Sequence, residues 1–116
     1  MKKMLSEHFS EDEFRCKHCG EIKVDPSLIA KLECVRAALG HIPIYINSGY
    51  RCEEHNKRVG GAINSYHMKG QAADIRINGD IRELAKICDN VFKYGGMGIY
   101  KKFIHVDTGK QRRFFG

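Results

Sequence analysis

Two short stretches, 72–77 (AADIRI) and 103–107 (FIHVD), alternate apolar residues with residues that can carry chemistry. A period of two fits an extended strand and excludes a helix. In the first stretch Ala73, Ile75 and Ile77 point one way, and Ala72, Asp74 and Arg76 the other. In the second, Ile104 and Val106 oppose His105 and Asp107. If the two strands are neighbours, both apolar rows face one core. Asp74, His105 and Asp107 then share the other face, and His67 arrives on the loop before Asp74. Gly70 and Ala72 are small enough to let that loop turn back on the strand.

The rest of the chain supplies elements to cover such a sheet. Ser10-x-x-Glu13 has the form of a capping box and predicts a short helix. Asp25-Pro26 is a strong helix start, and Leu28, Ile29, Leu32, Val35, Ala38 and Leu39 fall on one face of the helix that follows, up to Gly40. Residues 42–46 (IPIYI) predict a strand and 47–50 a turn. A short polar helix is expected over 51–59, stopped by Gly60-Gly61. Ile81, Leu84, Ala85 and Cys88 to Phe92 predict a second amphipathic helix. Strands at 96–100 and 103–107 flank a tight turn at Lys101-Lys102. The expected fold class is α+β, a small domain with a mainly antiparallel sheet flanked by helices. At 116 residues and 42% hydrophobic, one domain over 1–116 is expected, with residues 1–23 as a leader packed on a core of 24–116.

The formal net charge of +6 favours an anionic partner. The basic residues are scattered apart from Lys101-Lys102 and Lys110 to Arg113, and no aromatic-basic interleaving suggests nucleic acid. No apolar run is long enough for membrane insertion. The N-terminal MKK lacks an apolar segment behind it, so a secretory signal peptide is not expected. The protein then works in the cytoplasm or is released by another agent. There are five cysteines. Cys16-Lys17-His18-Cys19 is a lone CxxC, and no second one exists. Reduced thiols, a small metal clip and a redox pair all remain open for Cys16, Cys19, Cys34, Cys52 and Cys88. Any further metal ligand would have to come from the fold.

His67, Asp74 and His105 form a two-histidine, one-carboxylate set. Three protein ligands with one open position is the catalytic zinc arrangement, which polarises a carbonyl and activates water. The ordinary alternatives are a satisfied histidine and a capping aspartate.

Ser65-x-His67-x-x-Gly70-x-Ala72-x-Asp74 resembles the signature of the zinc D-Ala-D-Ala carboxypeptidase-type metallopeptidases. Their superfamily also takes in lysostaphin-like enzymes and the hedgehog signalling domain. The similarity extends to Ser48-Gly49-Tyr50-Arg51, His55-Asn56, Val59-Gly60-Gly61-Ala62 and Phe103 to Gly109, over roughly residues 24–116. The segment FSEDEFRCKHCG is similar to leaders of small phage- or prophage-encoded members. The resemblance implies that His67, Asp74 and His105 bind one Zn2+ ion. It also implies that Arg51 binds a substrate carbonyl or carboxylate, with a structural ion pair as the alternative, and that Ser65 orders the loop or touches substrate. Relatives often place an acid/base Glu or Asp three residues before the last ligand, or His two before it. Here Lys102 and Phe103 stand there. Asp107 is the first candidate for the base, with orientation of a histidine ligand as its alternative. His55 and Glu54 are lesser candidates.

The implied activity is hydrolysis of peptide bonds involving D-amino acids in peptidoglycan stem peptides, by a monomer. The implied type is a D-Ala-D-Ala carboxypeptidase that trims a terminal D-Ala, with a cross-link endopeptidase or phage lysin as the alternative. Two rivals stand beside it: an inactive zinc-containing binding module, and a nucleic-acid binder.

Overall fold

The computed structural model describes residues 3–116. Helix α1 spans Glu11–Phe14. It opens where the Ser-x-x-Glu pattern predicts, but Ser10 Oγ donates to Glu13 Oε1 at 3.5 Å rather than capping a backbone amide. Helix α2, Pro26–Ala38, begins as expected, with the Asp25 side chain accepting from the Ser27 amide at 3.0 Å. Leu28, Ile29, Leu32, Val35 and Leu39 are buried, whereas Ala38 is exposed.

Strand β1 is Tyr45–Ser48. This corrects the expected strand at 42–46 and the turn at 47–50. Pro43 has no amide to give a ladder, so pairing starts after it. A bulge between Ile46 and Ser48 carries the chain on toward Arg51. Short helix α3, Glu53–Arg58, is followed by a 3-10 turn at Tyr66–Lys69. Strand β2 (Ala72–Arg76), helix α4 (Ile81–Val91), β3 (Gly96–Ile99) and β4 (Ile104–Asp107) follow near their expected places. A fifth strand, β5 at Arg112–Phe115, was not anticipated. The sheet order is β1-β2-β4-β3-β5, antiparallel except for the parallel β3–β5 pair.

The supposition that the two alternating strands are neighbours holds: Asp74 lies opposite His105, and Ala72 opposite Asp107. Ala73, Ile75, Ile104, Val106 and Met97 turn to the core with Leu32, Val35, Leu84, Cys88 and Phe92 of the helical layer. The N-terminal segment contributes Phe9 and Phe14, each 1% exposed, to that same core. Its loop is tied to α2 through Glu33, which accepts from the Ser6 hydroxyl and the His8 amide. With one face sealed by apolar packing, the polar residues of β2 and β4 are confined to the other. Among the described residues no helix is long and apolar enough to cross a membrane.

Gly70 closes the 3-10 turn in the left-handed region at φ +71. Its carbonyl accepts the Asp25 amide at 2.8 Å, and a Cβ here would lie 2.5 Å from the Lys23 carbonyl oxygen. Gly40 has a similar φ of +81 with open space around it. Gly40→Ala should therefore cost about 1 kcal/mol from backbone strain alone. Gly70→Ala adds a collision with backbone and should cost clearly more, measured as the shift in urea midpoint at constant m.

Candidate metal centre

Local chain rules bring the three residues together. Ser65 caps the 3-10 turn, its Oγ accepting the His67 amide at 3.2 Å. The turn points His67 inward, Gly70 reverses the chain, and β2 presents Asp74 on the face away from the core. His105 meets it from β4. The ligand atoms of His67, Asp74 and His105 lie within 4.8 Å of one another, and all three residues are buried.

Hydrogen bonding decides which nitrogens face the centre. His67 Nδ1–H donates to the Gly49 carbonyl at 2.7 Å, so the Nε2 lone pair faces Asp74 Oδ1 at 3.2 Å. His105 Nε2–H donates to Asp107 Oδ2 at 2.7 Å, leaving Nδ1 to face the same oxygen at 2.9 Å. Gly49 O and Asp107 can only accept, so each imidazole, in its neutral form, spends its one proton outward. Two ring lone pairs and a carboxylate oxygen then converge with no hydrogen between them. Such a set is repulsive until a cation occupies it, and two imidazoles with a carboxylate suit zinc. The residues fit the ion that the resemblance implies.

In the metal-free centre the histidines themselves offset the Asp74 charge. Burial pushes the Asp74 carboxyl up, but contacts with His105 and His67 outweigh it and hold the group well below the usual range. Asp74 Oδ2 also accepts from the Arg51 guanidinium at 3.1 Å. For His105, burial lowers the pKa, but Asp107 and Asp74 win and raise it.

Asp107 sits behind His105. It is fully buried and is not among the residues lining the cleft. Oδ1 accepts the Gly96 and Gly109 amides at 3.1 and 3.0 Å, and Arg112 adds bonds of 3.1 and 2.8 Å to the two oxygens. Burial raises its pKa, yet His105 and Arg112 bring it down to about 2. A carboxylate so saturated is a poor proton acceptor. The surroundings favour the alternative role named for it, orientation of His105, over that of general base.

The ligands lie at a cleft of about 510 Å³. Arg51 and Ser65 are among the residues that line it. Arg51 is also partnered on every nitrogen, by Ser48 Oγ at 3.0 Å, Asn56 Oδ1 at 3.3 Å and Asp74. The ion pair named as the alternative for Arg51 is present in the structure. Phe103 lines the cleft and stacks on Tyr100 at 4.4 Å, whereas Lys102 is exposed and turned to another surface. Glu54 bonds His18 and Arg58 at the surface, and neither it nor His55 reaches the cleft lining.

The unanticipated parts of the site come from β5 and β3. Arg112 and Phe114 of β5 line the cleft, along with Tyr66 and Tyr100. Gly98 lies between Phe114 and His105, and a Cβ there would strike the Phe114 ring. The sequence RRFF at 112–115 carries no polar–apolar alternation; its burial alternates only in the folded sheet, and the basic run 110–113 reads as a charge cluster.

Replacing His67 with Ala should abolish zinc binding at this centre in a chelator-competition titration. Asp107→Asn should weaken it about 10- to 100-fold. The Asp107 carboxyl falls from an ordinary 3.8 to about 2 in the fold. A depressed carboxyl stabilises the fold fully above its unfolded value and loses that contribution as pH falls through the folded one. Denaturation of metal-free protein should thus show ~2 kcal/mol lost between about pH 4 and about pH 2 that Asp107→Asn does not show.

Comparison with known proteins accords with this geometry. The Peptidase M15 family model matches residues 7–107, which includes most of the N-terminal segment. The peptidoglycan L,D-endopeptidase MepK of Escherichia coli strain K12 is 34% identical over 110 residues, covering 87% of this chain and 60% of the relative. The zinc D-Ala-D-Ala carboxypeptidase of Streptomyces albus G is 51% identical over 45 residues, or 39% of this chain and 18% of that protein. The chain spans about 60% of the length of the MepK relative. Extended similarity to the one, a concentrated match to the other and a family match over most of the sequence agree: the chain belongs to the Peptidase M15 family.

Proposed function

We propose that the protein is a zinc-dependent peptidase that cuts peptide bonds involving D-amino acids in peptidoglycan stem peptides. The observation that carries the reading is the convergence of the His67, Asp74 and His105 lone pairs at the cleft. A zinc ion held there would act as a Lewis acid, polarising a peptide carbonyl and lowering the pKa of water.

The chain's own residues do the rest. Gly49 O and Asp107 fix the tautomers of His67 and His105, so no proton competes for the ligand nitrogens. Arg51, lining the cleft and anchored on Asp74, keeps further N–H donors of its fork for a substrate carbonyl oxygen, where negative charge develops on attack. Tyr66, Tyr100, Phe103 and Phe114 form apolar walls that hold the peptide and exclude bulk water. The charge of +6 draws the protein toward an acidic polymer.

Of the two modes, cross-link endopeptidase is favoured over trimming of a terminal D-Ala. A carboxypeptidase needs a cation free to take the substrate's terminal carboxylate. Among the described residues the lining cations besides the ligand histidines are Arg51 and Arg112, and each is already neutralised, by Asp74 and by Asp107. The L,D-endopeptidase relative also matches far more of the chain. The carboxypeptidase reading keeps the support of the 45-residue match around the ligands.

The reading is tested by mass spectrometry of cross-linked peptidoglycan fragments incubated with zinc-loaded protein, with and without chelator. Chelator-sensitive separation of cross-linked peptides is expected. Release of single D-Ala would select the carboxypeptidase mode, and no cleavage by zinc-loaded protein would overturn the enzyme. Arg51→Lys keeps the charge but not the fork, and should lower kcat about 100-fold with zinc content unchanged.

A further inference from the structure

Cys16, Cys19 and Cys52 are brought together by the fold, although Cys52 is far from the CxxC in sequence. We infer that these three cysteines form a second metal site, a trithiolate zinc clip that joins the N-terminal segment to the corner carrying Arg51. The inference does not rest on the peptidase reading.

Their sulfurs lie within 4.8 Å of one another. Three thiolates around a tetrahedral zinc, at bonds of about 2.3 Å, sit about 3.8 Å apart, so a small contraction makes the site. All three are free thiols. A disulfide between any pair would strand the third, and nothing in the fold singles out a pair. The backbone is arranged for sulfur anions. The Cys52 amide donates to Cys16 Sγ at 3.4 Å, and the His55 amide to Cys52 Sγ at 3.4 Å. The amides of Cys19 and His18 also turn toward the Cys16 sulfur. A neutral thiol is a weak acceptor, and a thiolate gains far more from such donors.

The loop is built to hold this shape without the metal. The Cys16 amide donates to Glu21 O at 2.8 Å, the Gly20 amide to Cys16 O at 3.0 Å, and Gly20 takes φ +77. No fourth Cys, His or carboxylate joins the group among the described residues, so solvent takes the remaining position. Cys19 is exposed and gives that solvent access. On binding, the three thiols release their protons to water, as metal-bound cysteines do.

The clip's position gives it a purpose. The Tyr50 amide donates to Phe14 O at 2.9 Å, and Gly49 packs so closely on Phe14 that a Cβ would lie 2.6 Å from its Cα. Gly49 O orients His67, and Arg51 reaches Asp74. Zinc at the thiols would lock the segment that aims both groups. Cys34 is exposed and outside the group, and Cys88 is buried in the core, where burial pushes its thiol up to about 12.

The test is metal analysis of the full chain, purified under reducing conditions and loaded with zinc, together with absorption spectra after cobalt substitution. Wild type should carry about two metal equivalents per chain and show thiolate-to-cobalt charge-transfer bands. Cys19→Ser, at an exposed position that does not threaten folding, should lose about one equivalent and the bands. His67→Ala should lose about one equivalent and keep them. Cys34→Ser should change neither. The inference is overturned if wild type binds a single equivalent without thiolate bands, if Cys19→Ser retains full metal content, or if peptide mapping finds a disulfide within the trio.

Discussion

Everything at the cleft depends on one buried carboxylate oxygen. Asp74 Oδ1 faces two imidazole nitrogens whose protons are committed elsewhere, to a loop carbonyl and to Asp107. Burying such a set costs a great deal of solvation, and with both rings neutral no hydrogen bond inside it repays that cost. A divalent cation resolves the conflict in one step. The sheet holds this arrangement: the β2–β4 register sets Asp74 opposite His105, and a slip of one residue would turn one of them into the core.

A second layer makes the first one rigid. Arg112 reaches from β5 to clamp Asp107, which in turn clamps His105. Glycines at 96 and 98 leave the room for the carboxylate and for Phe114. On the other side, the 48–52 corner carries the carbonyl that holds His67 and the guanidinium that holds Asp74. That corner leans on Phe14 and lies beside the cysteine trio. The N-terminal segment is thus part of the site's support, with Phe9 and Phe14 in the main core.

The central part of this was legible in the sequence because period-two alternation is a local signal that survives folding. Residues 72–77 and 103–107 could seal one face only if their polar residues gathered on the other. Asp25-Pro26 and Gly70 were likewise readable, since each acts on its own backbone. What escaped was non-local. Strand β5 pairs in parallel with β3, and its sequence, RRFF, has no period-two pattern to announce it. The start of β1 shifted because Pro43 cannot join a ladder. Asp107 looked like a base from its place beside His105. Its burial and the donors around it, from Gly96, Gly109 and Arg112, belong to the tertiary structure. Cys52 met the CxxC only because the 48–52 corner folds against the N-terminal loop.

Anomalous diffraction at the zinc edge, from crystals grown with zinc, tests the central claim most directly. The account predicts a peak bounded by His67 Nε2, an Asp74 oxygen and His105 Nδ1, with His105 Nε2 still bonded to Asp107. Zinc-soaked crystals with no peak there, or with His105 turned to ligate through Nε2, would contradict it.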